Sequence, residues 1–240
     1  SPDGDTVVFA GQKGGTFDLY LLNVNQMGLR RLTKSEFLKH NEHPSFSPDG
    51  RHVVLAVRET DLDANRGRTD LWLVSSDGTN LRRLTASPEN DADPVWAPDG
   101  KSIYFLSTRG GSSQVWRISV DGGEAVTVTK SPIDIDSFNV SRDGQHLAFA
   151  AETFPDCDTL ECTKKKLDER AKTKSSGRVY DKLMFRHWDT WKDGRRAHLF
   201  VQKVSGGAPV DVMRKWDVDS PSKPFGGADE YTFTPDGKSL

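Results

Sequence analysis

Short runs of β-branched and aromatic residues alternate with polar turns along this 240-residue chain. The clearest turn is Ser-Pro-Asp-Gly at residues 1–4, which returns in related form at 47–50, 97–100, 141–144 and 234–237. In such a turn proline fixes φ, aspartate bonds the backbone beyond it, and glycine accepts a positive φ. The intervals are 46, 50, 44 and 93 residues, so the last one holds a period plus an insertion.

Strand-like segments occupy fixed places around each turn. Segments that precede a turn are residues 43–46, 93–96, 137–140 and 230–233. Segments that follow one are residues 6–10, 52–56, 102–106 and 146–150. A third set lies at 17–22, 70–74, 114–118 and 198–201, and a fourth at 29–33, 81–85, 125–129 and 209–213. Apolar and polar residues alternate along the third set, as expected of strands rather than helices.

Four short antiparallel strands in each unit of about 45 residues are typical of a β-propeller blade. The sequence therefore predicts an all-β fold in which residues 1–240 form about four blades. We expect these blades to form an arc of a seven- or eight-blade ring. A solitary open arc would expose blade faces and sheet edges that a folded domain cannot leave bare. The alternative is a closed four-blade ring in which residues 230–233 supply the missing first strand.

The insertion covers residues 152–196, between the second and third strands of the fourth blade. Residues 157–176 are polar and rich in lysine, which favours a short solvated helix over a basic binding patch because acids are interleaved. Residues 179–191 concentrate four aromatic side chains with an arginine and a histidine.

Such a segment is costly to leave in water, so we expect it to fold over the rim or channel, or to dock on another domain. The competing interpretation is a hairpin extension that packs on its own blade. The candidates for contact with a substrate or a partner domain are Arg186, His187, Trp188, Asp189 and Trp191.

Cys157 and Cys162 are the only cysteines. Two thiols do not supply the four ligands of a structural zinc site, and four intervening residues do not fit a redox pair. Two interpretations remain, a pair of free thiols or a local disulfide, and a disulfide would imply an oxidising compartment.

Composition excludes several classes of function. Hydrophobic residues are 35% and charged residues 28% of the chain, with a net charge of −2. Without a basic surplus or an apolar run of about 18 residues, we expect neither nucleic-acid binding nor insertion into a membrane. The histidines share no metal-ligand spacing, and acid pairs such as Asp91/Asp93 fit turns and caps better than calcium sites. No metal or other cofactor is predicted.

The repeats resemble the WD40-like propellers of the Tol-system periplasmic protein and of prolyl oligopeptidase family serine peptidases. The run from Val179 to Trp191, followed by Asp193-Gly194-Arg195-Arg196, narrows this likeness to the exported dipeptidyl-peptidase and acylaminoacyl-peptidase branch. The resemblance implies an N-terminal propeller that limits access to a C-terminal α/β-hydrolase domain carrying serine, aspartate and histidine.

The chain departs from that family in one respect. The nucleophile elbow Gly-x-Ser-x-Gly is absent, since Gly110-Gly111-Ser112-Ser113-Gln114 lacks the final glycine. We therefore expect a fragment that lacks the catalytic residues, with the hydrolase domain beyond residue 240.

Three functions remain open at this point. The first is the substrate-gating propeller of an exported, periplasmic serine exopeptidase whose partners are peptides and its own hydrolase domain. The second is a non-catalytic, Tol-like propeller that binds proteins. The third, a lactonase-like enzyme with a metal in the channel, lacks a clear set of axial acids. Oligomeric state and dipeptidyl against acylaminoacyl specificity do not follow from the sequence.

Overall fold

A computed structural model describes residues 1–35, 39–174, 177, 180, 186–188 and 190–240, with the side chain of His187 outside this description. The described chain divides into two compact units, Ser1–Val128 and Thr129–Leu240.

The first unit contains three successive antiparallel meanders, here called blades 1 to 3. Blade 1 consists of β1 (Thr6–Lys13), β2 (Thr16–Asn23) and β3 (Gly28–Arg31). Blade 2 consists of β4 (Lys39–Phe46), β5 (His52–Asp61), β6 (Arg66–Ser75) and β7 (Arg82–Arg83). Blade 3 consists of β8 (Asp91–Trp96), β9 (Ser102–Ser107), β10 (Gln114–Ser119) and β11 (Val126–Thr127). A parallel bridge between Phe17 and His40 links blades 1 and 2.

The second unit contains blade 4 and its insertion. In chain order its elements are β12 (Ser137–Val140), β13 (His146–Thr153), α1 (Leu160–Ala171), β14 (Arg186–His187), β15 (Thr190–Trp191), β16 (Arg196–Lys203) and β17 (Val210–Asp211). Blade 4 is the sheet β12-β13-β16-β17, and β14 pairs with β15 apart from it. Because Thr153 pairs with Arg196, everything between them leaves the sheet at one end and returns there.

Successive blades of the first unit pack face to face, and β5 shows how. Val53 and Leu55 belong to a buried cluster with Leu19 of blade 1. The alternate residue Val54 belongs to another cluster with Phe105 of blade 3. Alternate side chains of a strand point to opposite faces of its sheet, so both faces of blade 2 are buried. This explains why the second strands read as nearly continuous apolar runs.

Two predicted strand groups differ in the structure. Residues 230–233 are not a strand: a 3₁₀ turn covers Ala228–Glu230, and Asn139 Nδ2 donates to the carbonyls of Ala228 and Tyr231, each at 2.7 Å. The predicted fourth strands of blades 2 to 4 shorten to two residues. In blade 2 the strand ends at Arg83, and beyond this end the Thr85 hydroxyl accepts from Leu71 N at 3.0 Å where a strand carbonyl would stand.

The four repeated turns that begin with serine or threonine share one hydrogen-bonding scheme, which Ala97 in the remaining turn cannot supply. In Ser47–Gly50 the Ser47 hydroxyl donates to Asp49 Oδ1 at 2.6 Å and accepts from His52 N at 2.9 Å. Gly50 has φ of 71°, the left-handed region for which glycine was predicted. The serine bond and the Arg51 amide lower the pKa of Asp49. The predicted roles of aspartate and glycine are confirmed, and the hydroxyl is an addition that the sequence pattern did not reveal.

Turns of neighbouring blades touch one another. A Cβ on Gly50 would lie 3.3 Å from Pro2 Cδ, and one on Gly100 would lie 3.7 Å from Pro48 Cδ. Proline of one turn therefore packs against glycine of the next.

A polar latch holds the third strand to the fourth in blades 1 and 2. Asp70, buried at the start of the apolar part of β6, accepts from Arg83 Nη2 at 2.5 Å, while Arg83 Nε donates to Thr85 O at 2.7 Å. Asp18, Arg31 and Thr33 repeat these contacts in blade 1.

Candidate functional site

The insertion begins with the predicted helix, α1, fixed to blade 4. Thr159 caps it by accepting from Cys162 N at 3.2 Å. The Thr163 hydroxyl lies 2.6 Å from that of Thr153, and the guanidinium carbon of Arg170 lies 4.4 Å from the centre of the buried Phe154 ring. Cys157 and Cys162 are joined by a disulfide, with their Cα atoms 5.5 Å apart. The segment before the hairpin is thus anchored at both ends of the helix.

The β14–β15 hairpin places Arg186 opposite Trp191. The Arg186 guanidinium lies 5.1 Å from the centre of the Trp191 ring, within the range of a cation–π contact. Arg186 Nε also donates to Trp188 O at 3.1 Å. The Tyr180 ring also stacks on Trp191, with the ring centroids 5.7 Å apart.

Trp188 points to a different partner. Its ring contacts the Phe225 ring edge to face, with the ring centroids 6.3 Å apart. Both residues are nevertheless exposed, Trp188 by 75% and Phe225 by 81% of their surface. We call Tyr180, Arg186, Trp188, Trp191 and Phe225 the aromatic crest. All five belong to the second unit.

Among the predicted contact residues, the structure brings Arg186, Trp188 and Trp191 together. Asp189 lies outside the described residues, and of His187 only the backbone is described, paired with Thr190. The two tryptophans have different ring partners, since Trp188 contacts Phe225 and Trp191 contacts Tyr180. Contact with a substrate or a domain stays a prediction.

The loop that carries Phe225 is held by charged groups. Lys223 Nζ lies 3.2 Å from both Asp136 Oδ2 and Glu152 Oε1. Burial raises the pKa of Asp136, and Lys223 partly offsets it. Burial also lowers the pKa of Lys223, but Asp136 and Glu152 outweigh this and raise it. Lys223 is therefore held as a cation between two carboxyl groups.

Sequence reasoning missed Phe225 and the charged groups that fix its loop. No motif distinguishes Phe225, because its neighbours Pro224 and Gly226 indicate only a turn. For Lys223 the sequence offered one indirect signal. Asp136 lies next to a predicted strand, and an acid that is buried there needs a cationic partner.

Two acidic side chains, Asp91 and Asp61, have partners within their own blades. Asp91 accepts from Arg109 Nη2 at 2.5 Å, and Asp61 Oδ1 caps Ala64 N at 2.9 Å. Within the described residues, no group of three or more histidine, cysteine, aspartate or glutamate side chains is arranged to hold a metal ion. A search of those residues also finds no helix long and apolar enough to span a bilayer.

Comparison with known proteins then identifies the family. Residues 34–176 match the TolB beta propeller domain, PD40. The chain belongs to the TolB β-propeller family.

This TolB-type propeller is also similar to named peptidases. It is 31% identical over 207 residues to dipeptidyl-peptidase 5 of Porphyromonas endodontalis, and 29% identical over 208 residues to that of Porphyromonas gingivalis. Each match covers 82% of this chain and 28% of the relative, so the chain spans about a quarter of their length. The resemblance to the peptidase branch that the sequence indicated is confirmed.

Solved structures of the TolB-type propeller agree on the fold. The crystal structure of TolB from Acinetobacter baumannii matches with a TM-score of 0.61 at 18% identity, over 88% of this chain and 41% of its own. An acylaminoacyl peptidase in complex with Z-Gly-Gly-Phe-chloromethyl ketone matches with a TM-score of 0.52 at 14% identity, over 70% of this chain and 24% of its own. The predicted all-β propeller fold is confirmed.

Proposed function

We propose that this chain is the propeller portion of an exported serine exopeptidase that releases dipeptides from the N-termini of short peptides. The observation that carries the proposal is the 31% identity with a dipeptidyl-peptidase over 82% of the chain. The propeller acts as a gate that excludes folded proteins, and a separate α/β-hydrolase domain supplies the serine, aspartate and histidine.

The chain's own residues support this division of labour. Its nearest approach to a nucleophile elbow, around Ser112, lies in the connection between β9 and β10 of blade 3 rather than on a turn from strand to helix. Both faces of blade 2 are packed, which gives the stiffness that a gate needs.

Export is supported by the disulfide between Cys157 and Cys162, because disulfides persist in oxidising compartments. The bond ties the residue Cys157, ahead of α1, to the first turn of that helix and so stabilises the insertion that carries the candidate site.

The test is to express the complete reading frame in its host and assay the purified protein. We expect dipeptidyl chromogenic substrates to be cleaved, N-acylated aminoacyl substrates to be cleaved at least tenfold more slowly, and a serine-directed inhibitor to abolish both. Cell fractionation with thiol alkylation should find the protein outside the cytoplasm with both cysteines blocked. A full-length protein without peptidase activity would refute the proposal.

A second candidate is a non-catalytic, protein-binding propeller like TolB. It is favoured by the TM-score of 0.61 with the Acinetobacter baumannii TolB structure, higher than that with the peptidase. Because both identities are low, that difference concerns the fold alone. The second candidate predicts that no serine of the full-length protein reacts with a fluorophosphonate probe.

A further inference from the structure

The aromatic crest exposes two large rings side by side. Trp188 and Phe225 are separated by 37 positions in the sequence, yet their rings are in edge-to-face contact with most of their surface in water. Single exposed apolar residues are ordinary, but contiguous ones that protrude from a folded surface mark sites of interaction. Tryptophan and arginine are also the residues most enriched where an interface has its strongest contacts.

The backbone conformation at Trp188 is unfavourable for a side chain of this size. Trp188 has φ of 56° and is the first of the two residues that connect His187 to Thr190. Asparagine, aspartate and glycine are the residues that tolerate this conformation in a two-residue hairpin, and a bulky residue there is strained. The hairpin therefore holds a tryptophan where a small polar residue would stabilise it more.

Phe225 is presented by a loop that is fixed rather than loose. The Ser222 amide and hydroxyl both donate to the Glu230 carboxylate at 2.6 Å, and Gly226 N donates to Ser222 O at 2.8 Å. Lys223 adds its contacts with Asp136 and Glu152. A ring on such a loop loses little further conformational freedom when another surface covers it.

We infer that the aromatic crest is the docking surface for the part of the same protein that lies outside residues 1–240, through an apolar patch on that part. The inference rests on the proposed function, under which that part is the hydrolase domain. The matched relatives are long enough to supply it, since this chain spans 28% of their length. A substrate is absent for most of the time and would leave both rings in water, whereas a covalently attached domain covers them continuously.

Hydroxyl-radical footprinting of the wild-type full-length protein without substrate tests the cover directly. Met27 is the internal reference, since it is 72% exposed and also has a left-handed φ, of 51°, but lies in blade 1. After correction for intrinsic reactivity, we expect Trp188 and Phe225 to be oxidised at least fivefold more slowly than Met27. Equal corrected rates would overturn the inference, and so would protection that arises only when a peptide is added.

Variants of the full-length protein test the linkage. Trp188→Asn suits the hairpin backbone and Phe225→Ser keeps the loop, so both are expected to fold; Met27→Asn is the matched control. We expect the Trp188 and Phe225 variants to be cut between propeller and remainder at least fivefold faster by a dilute protease, and the control to be cut at the wild-type rate. Wild-type cutting rates in both crest variants, with or without a raised KM, would overturn the inference.

These readouts do not depend on turnover. If the wild-type protein hydrolyses no peptide but its crest is protected, the proposed function fails and the docking surface stands. If the protein is an active peptidase whose crest is fully oxidised, the proposed function stands and the docking surface fails.

Discussion

Blades 2 and 4 place an acid and a base at the same two positions of the sheet, but in opposite order. In blade 2 the buried acid Asp70 lies on the third strand and Arg83 on the fourth. In blade 4 the corresponding places hold a buried base, His198, and an acid, Asp211, with His198 Nδ1 2.9 Å from Asp211 Oδ2. The register is the same, since Trp72 pairs with Arg83 and Phe200 pairs with Asp211.

The further hydrogen bond that the basic side chain makes also differs between the two blades, because that side chain lies on different strands. Arg83 also donates to the carbonyl of Thr85, two residues further along the chain. In blade 4 the second ring nitrogen of His198 lies 2.9 Å from Trp216 O, so the third strand supplies that contact instead. Blade 3 has Gln114 and Thr127 in these places, and its buried acid is Asp91, paired with Arg109. The fold thus constrains the two positions that a polar pair occupies, but not which of them carries the acid and which the base.

The largest effect is expected for His198→Ala. It removes a fully buried ring with contacts on both nitrogens, leaves Asp211 and Trp216 O without that partner, and creates a cavity. We expect the free energy of unfolding to fall by about 3 kcal/mol. Urea unfolding measures it, with Lys203→Ala on the exposed end of the same strand as control. A loss equal to that of the control would show that the blade 4 pair is not a latch.

Asp70→Asn is expected to cost less, about 1 kcal/mol. Burial raises the pKa of Asp70 in spite of Arg83 and Arg68, so its carboxylate carries a desolvation cost that an amide avoids. Arg83 can also turn its guanidinium to water. The same unfolding measurement checks this, and a loss as large as that of His198→Ala would mean that the two latches are energetically equivalent.

Arg82→Met tests a contact between blades. Arg82 Nη2 donates to Val120 O of blade 3, as Arg30 donates to Ser76 O of blade 2 at 2.6 Å, while blade 4 has Val210 in this place. Since both arginines are exposed, we expect a loss of about 0.5 kcal/mol on unfolding. Arg117→Met, at an exposed position of β10, is the control. An equal loss of stability in this control would show that the contact of Arg82 with Val120 O does not stabilise the fold.

The smallest effect concerns pH. The hydrogen bond of His43 Nδ1 to Asp93 Oδ1, 3.0 Å long, raises the pKa of His43; burial opposes it, and the charges of Asp93 and Glu42 assist. The pair therefore stabilises the fold fully below about pH 6.5, the ordinary histidine value, and loses this as pH rises through the raised pKa.

We expect Asp93→Asn to destabilise by about 0.3 kcal/mol more at pH 5.5 than at pH 8.5, because both side chains are largely exposed. Unfolding curves at the two pH values are the measurement. A difference of the opposite sign would contradict the assignment of the pair.

The repeat, the turns and nearly all strand positions follow from the sequence because they depend on neighbours in the chain. Aspartate and glycine act within four residues, and alternation along a strand reports its own burial. The latches of blades 1 and 2 were also accessible, since Asp-Leu-aromatic and Arg-Leu-Thr recur in both. The reversed pair of blade 4 was not, because it requires the register between β16 and β17.

The candidate site divides in the same manner. Arg186, Trp188 and Trp191 were found because composition changes sharply within one hairpin. Phe225 was not, because it reaches Trp188 only through the fold and through the contacts of Lys223 with Asp136 and Glu152. The 230–233 error has a related cause: Tyr231 is aromatic and buried as in a strand, but contacts with the side chains of Ser137 and Asn139 hold it instead of a backbone ladder.

The contacts of Pro2 with Gly50 and of Pro48 with Gly100 have a consequence for how such chains change in length. Extra residues at that end of a sheet would separate neighbouring turns, such as Pro2 from Gly50 or Pro48 from Gly100. At the opposite end, the connection after Thr153 can grow without disturbing any turn, and it is there that blade 4 acquired its helix and hairpin. A foreign peptide inserted at the tip of the β5–β6 hairpin would leave the fold stable, whereas the same peptide inserted between Pro48 and Gly50 would destabilise it.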